Sequence, residues 1–368
     1  MKHTLRVALV SSALAAGFPR SAHGQNGLLL QGIVDGEVWS TDTTSNLLTR
    51  NRGRTATLAR VQLWGAYEPF TNWVLYAQGE GEFGNGRHGG EANEVYSNQF
   101  GIRFAPSQKL VFDAGRLTPV IGTFSSRRFS SRNPLIGIPD GYSLQYPLGV
   151  EVSGEARYVD YRAAMVSLPA EHLSYVPKTT ARLRPAIGGG ITPFVGARIG
   201  ASMTIGPYLN KSLTSTQLGA RRWTDFEQRV FAFDASYSRG YLETHAEYSQ
   251  GRYEVPNRAK PLTGMTYYGE AKYTFTPRVF AAVRAERNHY PFIRPTSGAN
   301  WIGNLTDFMD GEVGGGYRVT ASSILKVSVR GDRWWVRPGT AFAGRGGRAI
   351  AMQWSQSFDA LSWFEGRR

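Results

Sequence analysis

Residues 108–158 read QKLVFDAGRLTPVIGTFSSRRFSSRNPLIGIPDGYSLQYPLGVEVSGEARY, and they hold two kinds of chain. The flanks, 108–117 and 148–158, alternate with the period of two that marks a strand. The centre does not alternate. It carries Pro119, Pro134, Pro139 and Pro147, the cations Arg127, Arg128 and Arg132, and a single acid, Asp140. A connection of roughly thirty residues stands out where ordinary ones run to about 4–6. Its Phe, Ile, Leu and Tyr content is too high for a disordered linker. The segment 118–147 is therefore expected to be an ordered, functional loop set between two strands.

Outward from that loop the same two-residue period dominates. Over Asn72–Phe83, Trp73, Leu75, Ala77 and Phe83 share one face, while Tyr76, Gln78, Glu80 and Glu82 share the other. Met265, Tyr267, Ala271, Tyr273 and Phe275 oppose Thr266, Glu270, Lys272 and Thr274 in the same way. About sixteen such segments of about ten residues can be placed, the length of a tilted strand crossing a membrane. They run 28–39, 55–68, 72–83, 94–105, 108–117, 148–158, 160–169, 182–191, 195–207, 226–238, 241–252, 264–275, 278–288, 307–319, 323–336 and 347–358. Short turns such as Thr192-Pro193-Phe194 and Arg239-Gly240 alternate strictly with longer stretches: 40–54, 84–93, 118–147, 170–181, 208–225, 253–263, 289–306 and 337–346. An all-β, transmembrane, antiparallel up-and-down β-barrel behaves this way, with short turns on the periplasmic rim and long loops on the other. Aromatic residues gather near the strand ends, as at Tyr67, Phe70 and Trp73, where rings suit a membrane interface. A soluble exported β-sandwich is the competing fold, since alternation alone does not say which face is wet.

The first residues carry export information. Lys2 and Arg6 precede the apolar run Val7–Phe18, and Ala22-His23-Gly24 forms a small-x-small site. Residues 1–24 are expected to be a signal peptide and 25–368 a single barrel domain. The run is too short for a spanning helix, which takes about 20 residues. Net charge is +14; removing Lys2, Arg6 and Arg20, with no acid in 1–24, leaves 14 − 3 = +11. The arginines are dispersed along strands, which excludes nucleic acid as a partner and favours anionic lipid or anionic solutes. There is no cysteine, so disulfides, thiolate metal sites and a cysteine nucleophile are excluded.

Val111-Phe112-Asp113-Ala114-Gly115-Arg116, the third long loop after it, and the strand opening Leu148-Gly149-Val150 resemble the general bacterial outer-membrane porins. In that family a strand ending Asp-x-Gly-Arg precedes a third loop that folds inward and forms a constriction. The resemblance implies sixteen strands, a homotrimer, an outer-membrane location with lipid and lipopolysaccharide as neighbours, and passive passage of small hydrophilic solutes. It also makes Arg116 a pore-wall arginine, although alternation from Phe112 and Ala114 points that side chain outward. Two departures stand out. The last strand closes near Phe358 with Asp359–Arg368 beyond it, where the family ends on phenylalanine, and the loop lacks the family's acidic cluster.

Within such a pore, Arg116, Arg127, Arg128, Arg132 and Asp140 are the expected constriction residues. Wall candidates are the cations Arg60, Arg103, Arg157 and Arg198 and the acids Glu80, Glu82, Glu151, Glu155, Asp310 and Glu312. An excess of arginine at a narrow point would favour anions. The same arginines could instead pair with wall carboxylates and pin the loop. A substrate-specific channel for phosphate or organic anions, and a closed barrel or outer-membrane enzyme, are the competing functions. Neither catalytic residues nor cofactors are indicated: His88, His172, His245 and His289 are scattered without metal-ligand spacing. His245, between Glu243 and Glu247, reads as part of a polar lumen face. Gly188-Gly189-Gly190 lacks the Lys-Ser/Thr of a phosphate loop.

Overall fold

The computed structural model describes residues 27–43, 55–85, 93–139, 141, 146–168, 170, 182–256, 258–295, 301–335 and 346–361. The expected signal peptide and Asp140 lie outside these residues. Sixteen strands follow one another: β1 Leu28–Thr41, β2 Thr55–Phe70, β3 Trp73–Gly84, β4 Asn93–Ser107, β5 Leu110–Arg116, β6 Leu148–Ala156, β7 Val159–Val166 and β8 Arg184–Phe194 form the first half. β9 Ala197–Pro207, β10 Glu227–Arg239, β11 Leu242–Tyr253, β12 Leu262–Thr274, β13 Val279–Pro295, β14 Trp301–Arg318, β15 Ser323–Trp334 and β16 Gly346–Asp359 complete the series. Each pairs antiparallel with its neighbours in sequence, and β1 pairs with β16, closing the barrel.

The faces settle which side is wet. On β14, Val313 is 60% exposed and Glu312 beside it 2%; on β15, Val327 and Val329 stand out while Lys326, Ser328 and Arg330 are buried. A water-soluble sandwich has the reverse arrangement. Apolar residues outside and charged residues inside are what a barrel wall in lipid requires.

The barrel closes where the sequence places its last strand: Phe358 pairs with Gly32, and its ring fills the space that a side chain at Gly32 would need. One expected connection is much shorter than 289–306, because β13 and β14 stay paired out to Pro295 and Trp301. The added pairs include Pro291 and Pro295, and proline gives a ladder no N–H. They lie beyond His289, the last residue of β13 that faces β12, so the strand there has a partner on one side only. On the long-connection rim, Tyr208, Leu209, Leu218, Phe226, Tyr253, Val255 and Trp301 pack together, and the Trp301 indole donates to Gln217 O at 2.8 Å.

Candidate functional site

The segment after β5 begins at a closed neck, where Leu117 N donates to Pro147 O at 2.7 Å. From there its polar groups meet the inner, polar face of strands far around the ring. Val120 packs on Ala164, Val166 and Ala186, and Ile121 on Val230 and Ala232. Thr123 donates through its amide and hydroxyl to Glu247 Oε1 at 3.0 and 2.5 Å. A 3-10 turn, Phe124–Arg127, then buries Phe124 edge-on to Tyr268, with centroids 5.9 Å apart.

Both arginines that follow are neutralised. Arg127 donates to Glu270 Oε1 at 2.7 Å and to the Tyr268 hydroxyl at 3.1 Å. Arg128 forms an ion pair with Glu80 of β3 and lies over the rings of Phe129 and Tyr146 at 5.3 and 5.4 Å. Burial alone would lower the pKa of each guanidinium. Tyr268 and Glu270 reverse that for Arg127, and Tyr146 and Glu80 for Arg128, so both are raised above the ordinary arginine value. Arg132 differs: burial lowers its pKa with no opposing charge. It forms no ion pair among the described residues and donates to Ser126 O at 2.9 Å.

The far end of the segment is held most densely. Ser130 Oγ donates to Asp35 Oδ1 at 2.6 Å. Lys326, 1% exposed, donates from Nζ to Ser130 O at 2.5 Å and to Asn133 O at 2.6 Å. Arg284 donates to Asn133 Oδ1 and Gly137 O, all at 3.0 Å. Glu312 Oε1 accepts from Ile136 N at 3.1 Å and Gly137 N at 3.0 Å. A Cβ on Gly137 would sit 2.5 Å from Glu312 Oε2 and 2.9 Å from Arg330 Nη1, so a larger residue there has to displace one of the two side chains.

The wall behind these contacts is a charge lattice set by strand register. Ser236, His245, Glu270, Arg284, Glu312 and Arg330 are successive cross-strand partners on β10 to β15. Arg330 also binds Asp310 at 2.7 Å and Glu286 at 3.2 Å. Ser236, His245 and Glu270 supply hydrolase residue types, yet no hydrogen bond joins His245 to either neighbour among the described residues.

On the β2–β6 side a cavity of about 190 Å³ remains between segment and wall. The wall contributes Trp64, Tyr76, Gln78, Arg103, Asp113 and Glu151; the segment contributes Ser125, Ser126, Phe129 and Arg132. Arg103 donates to Asp113 Oδ1 at 2.9 Å, and it also borders a larger cavity of about 610 Å³ at the short-turn rim. That second cavity is lined by Glu155, Arg157, Asp160, Arg162 and Arg198. Arg103 lies on the lining of both cavities.

The expected residues sort accordingly. Arg103, Glu151 and Arg132 line the narrow cavity, whereas Arg127, Arg128, Glu80, Asp310 and Glu312 belong to the pinning network. Arg60 is gripped by Asp35, Glu37, Glu80 and Glu82 at 2.8–3.7 Å, and Arg198 by Asp160 and Asp234. Arg116 donates to Ser97 O at 2.6 Å and Tyr146 O at 3.0 Å, tying the end of β5 to β4 and to the end of the loop. Arg157 is in the β6–β7 turn with φ of 45°, stacked on Tyr158 at 4.7 Å, and not on the strand wall. Sequence reasoning missed Asp35, Arg284, Lys326 and Arg330. Their signal was present: each alternates with exposed apolar residues of its own strand, Asp35 with Val38, Arg284 with Val283, and Lys326 and Arg330 with Val327 and Val329.

No protein-family model matches the sequence, and no curated protein matches it. Solved structures do share the fold. The anion-selective porin from Comamonas acidovorans superposes with a TM-score of 0.60 at 10% identity, covering 90% of this chain and 99% of that one. The outer membrane channel DcaP of Acinetobacter baumannii gives 0.61 at 10% identity, covering 93% and 100%. OmpT of Vibrio cholerae, an outer membrane protein in its trimer form, gives 0.55 at 12% identity, covering 90% and 99%. The chain has the fold of the sixteen-stranded outer-membrane porins.

Proposed function

We propose that the protein is an outer-membrane porin through which small hydrophilic solutes diffuse passively, with a preference for anions. One observation carries the reading: the loop between β5 and β6 is bonded to the far wall yet leaves a cavity of about 190 Å³, and Arg103 on its lining also borders the cavity of about 610 Å³ at the short-turn rim. A closed structural barrel would have no use for cavities lined by charged groups of both signs. The loop sets the size of the passage and Arg132 sets the charge preference, because Arg127 and Arg128 are spent on Glu270 and Glu80. Arg157 and Arg162 extend the positive lining at the short-turn end. Domain 25–368 is then one barrel released by cleavage of 1–24, and the trimeric Vibrio cholerae protein of the same fold supports a homotrimer.

The test is conductance and reversal potential of purified, folded protein in a planar bilayer under a salt gradient. Stepwise, anion-selective conductance is the expected result. Cation-selective steps would remove the role given to Arg132, and silence would remove the channel.

A further inference from the structure

The narrow cavity is more than a gap. Its lining holds two guanidiniums, Arg103 and Arg132, and two carboxylates, Asp113 and Glu151, so its charge is balanced. Three buried polar atoms there, Asp113 Oδ2, Glu151 Oε2 and Gln78 Nε2, have no hydrogen-bond partner among the described residues. Asp113 is itself only 4% exposed. Trp64 of the wall and Phe129 of the loop both line the cavity and pack against each other, with ring centroids 6.3 Å apart and planes inclined by 37°.

Unpaired buried polar groups cost free energy, and a solute that satisfies them binds more tightly than one that does not. Unpaired acceptors beside an unpaired donor call for a ligand with many groups that both give and accept hydrogen bonds. Charges of both signs leave a net ion little advantage in lasting binding here, whatever preference Arg132 gives to its passage. Aromatic faces take up C–H groups against their negative π-clouds. The chemistry that meets all three demands is a neutral ring whose edge carries hydroxyls and whose faces carry C–H.

We propose that this cavity is a binding subsite for a neutral polyhydroxylated ring, a monosaccharide, with Trp64 and Phe129 against its C–H face and Asp113, Glu151 and Gln78 on its hydroxyls. The proposal rests on the channel reading for its biological use, but the binding step does not need conduction. An ion crosses the same constriction by exchanging waters with Arg132, whereas the sugar dwells there and interrupts the current.

Glucose is the probe, with glycine, a zwitterion, as the comparison. In symmetric potassium chloride, glucose should lower single-channel conductance saturably, beyond the drop that viscosity gives. Trp64→Ala should raise the half-saturating concentration roughly tenfold, the size of a lost aromatic contact, and Glu151→Gln should raise it by a smaller factor. Titration calorimetry of the detergent-solubilised protein reads the same binding without conduction, so a silent channel that still binds glucose would fail the transport reading and leave the subsite standing. Conductance that falls only with viscosity, glycine saturating where glucose does not, or equal glucose affinity in Trp64→Ala would each overturn the subsite. With a normal reversal potential, any of those three leaves the porin intact.

Discussion

Lys326→Met should release the far end of the loop. The Lys326 ammonium is buried beneath the segment and donates to Ser130 O at 2.5 Å and Asn133 O at 2.6 Å. Methionine keeps most of the stem volume and removes both bonds, leaving two carbonyls in a site with little water. A hydrogen bond to a charged group contributes about 1.5–3 kcal/mol, so the pair contributes about 3–6 kcal/mol. Arg284 and Glu312 still hold the neighbouring backbone, and coupled contacts do not add, which puts the expectation at the low end. A loss of about 3 kcal/mol raises the undocked population about a hundredfold. Because the chain has no cysteine, Ile136→Cys supplies a single reporter at a position 7% exposed in the docked loop. Labelling of the thiol introduced at position 136 should therefore run about a hundredfold faster when Lys326→Met is added to the Ile136→Cys parent. Open-channel current noise should rise with it. A labelling rate within about threefold of the parent would refute the reasoning, since it would mean that Lys326 contributes under about 0.7 kcal/mol to docking.

Other outcomes follow from the same contacts. Arg127→Ala and Arg128→Ala should each cost about 1.5–3 kcal/mol, because each removes a charged hydrogen bond from a buried carboxylate that keeps a second arginine, Arg284 for Glu270 and Arg60 for Glu80; thermal melting of the folded barrel reads this. Arg132→Ala should change stability by less than about 0.5 kcal/mol while shifting the reversal potential towards cations, so the three arginines should separate into two classes. Gly137→Ala should destabilise by about 1–3 kcal/mol, since the added carbon meets Glu312 and Arg330 and neither can retreat without losing its partner; the thermal midpoint checks it. Val313→Arg, on the outer face at 60% exposure, should cost about 2–4 kcal/mol in refolding into lipid if it lies near the midplane. Ser328→Thr on the inner face of β15 serves as its tolerated counterpart.

The strands were legible because a barrel wall has two solvents. Lipid on one side and water on the other force every strand to alternate, and sixteen segments could be placed to within a few residues of most of β1 to β16. The reading failed at β13 and β14, whose ladder runs on to Pro295 and Trp301 inside the expected 289–306 connection, with a partner for β13 on one side only. The site was harder. Arg127, Arg128 and Arg132 look alike in the sequence, three cations on one proline-rich loop. Their difference is made by Glu270 and Glu80, which stand 143 and 48 residues away along the chain from the arginines they bind. Register can say that Glu270 and Arg284 are neighbours once the barrel is drawn. No local pattern says where the loop will come down.

That separation also fixes how charge acts in the passage. A net charge of +14 invites the expectation that the chain selects anions by its bulk field. Most of the inner charge is cancelled at contact distance, as Arg60 is by four acids and Arg330 by two. Paired charges a few ångströms apart have a field that falls away quickly, and salt screens what is left beyond about 8 Å. Selection is therefore left to groups that are both on the path and uncancelled. Arg132 meets that condition on the loop, in a cavity that Glu151 also lines. A single uncancelled guanidinium with a carboxylate in the same cavity gives a transverse field in place of a uniformly positive ring. Such a passage should discriminate weakly between small ions of opposite sign and more strongly by how a solute's own dipole and hydrogen-bonding groups fit across it.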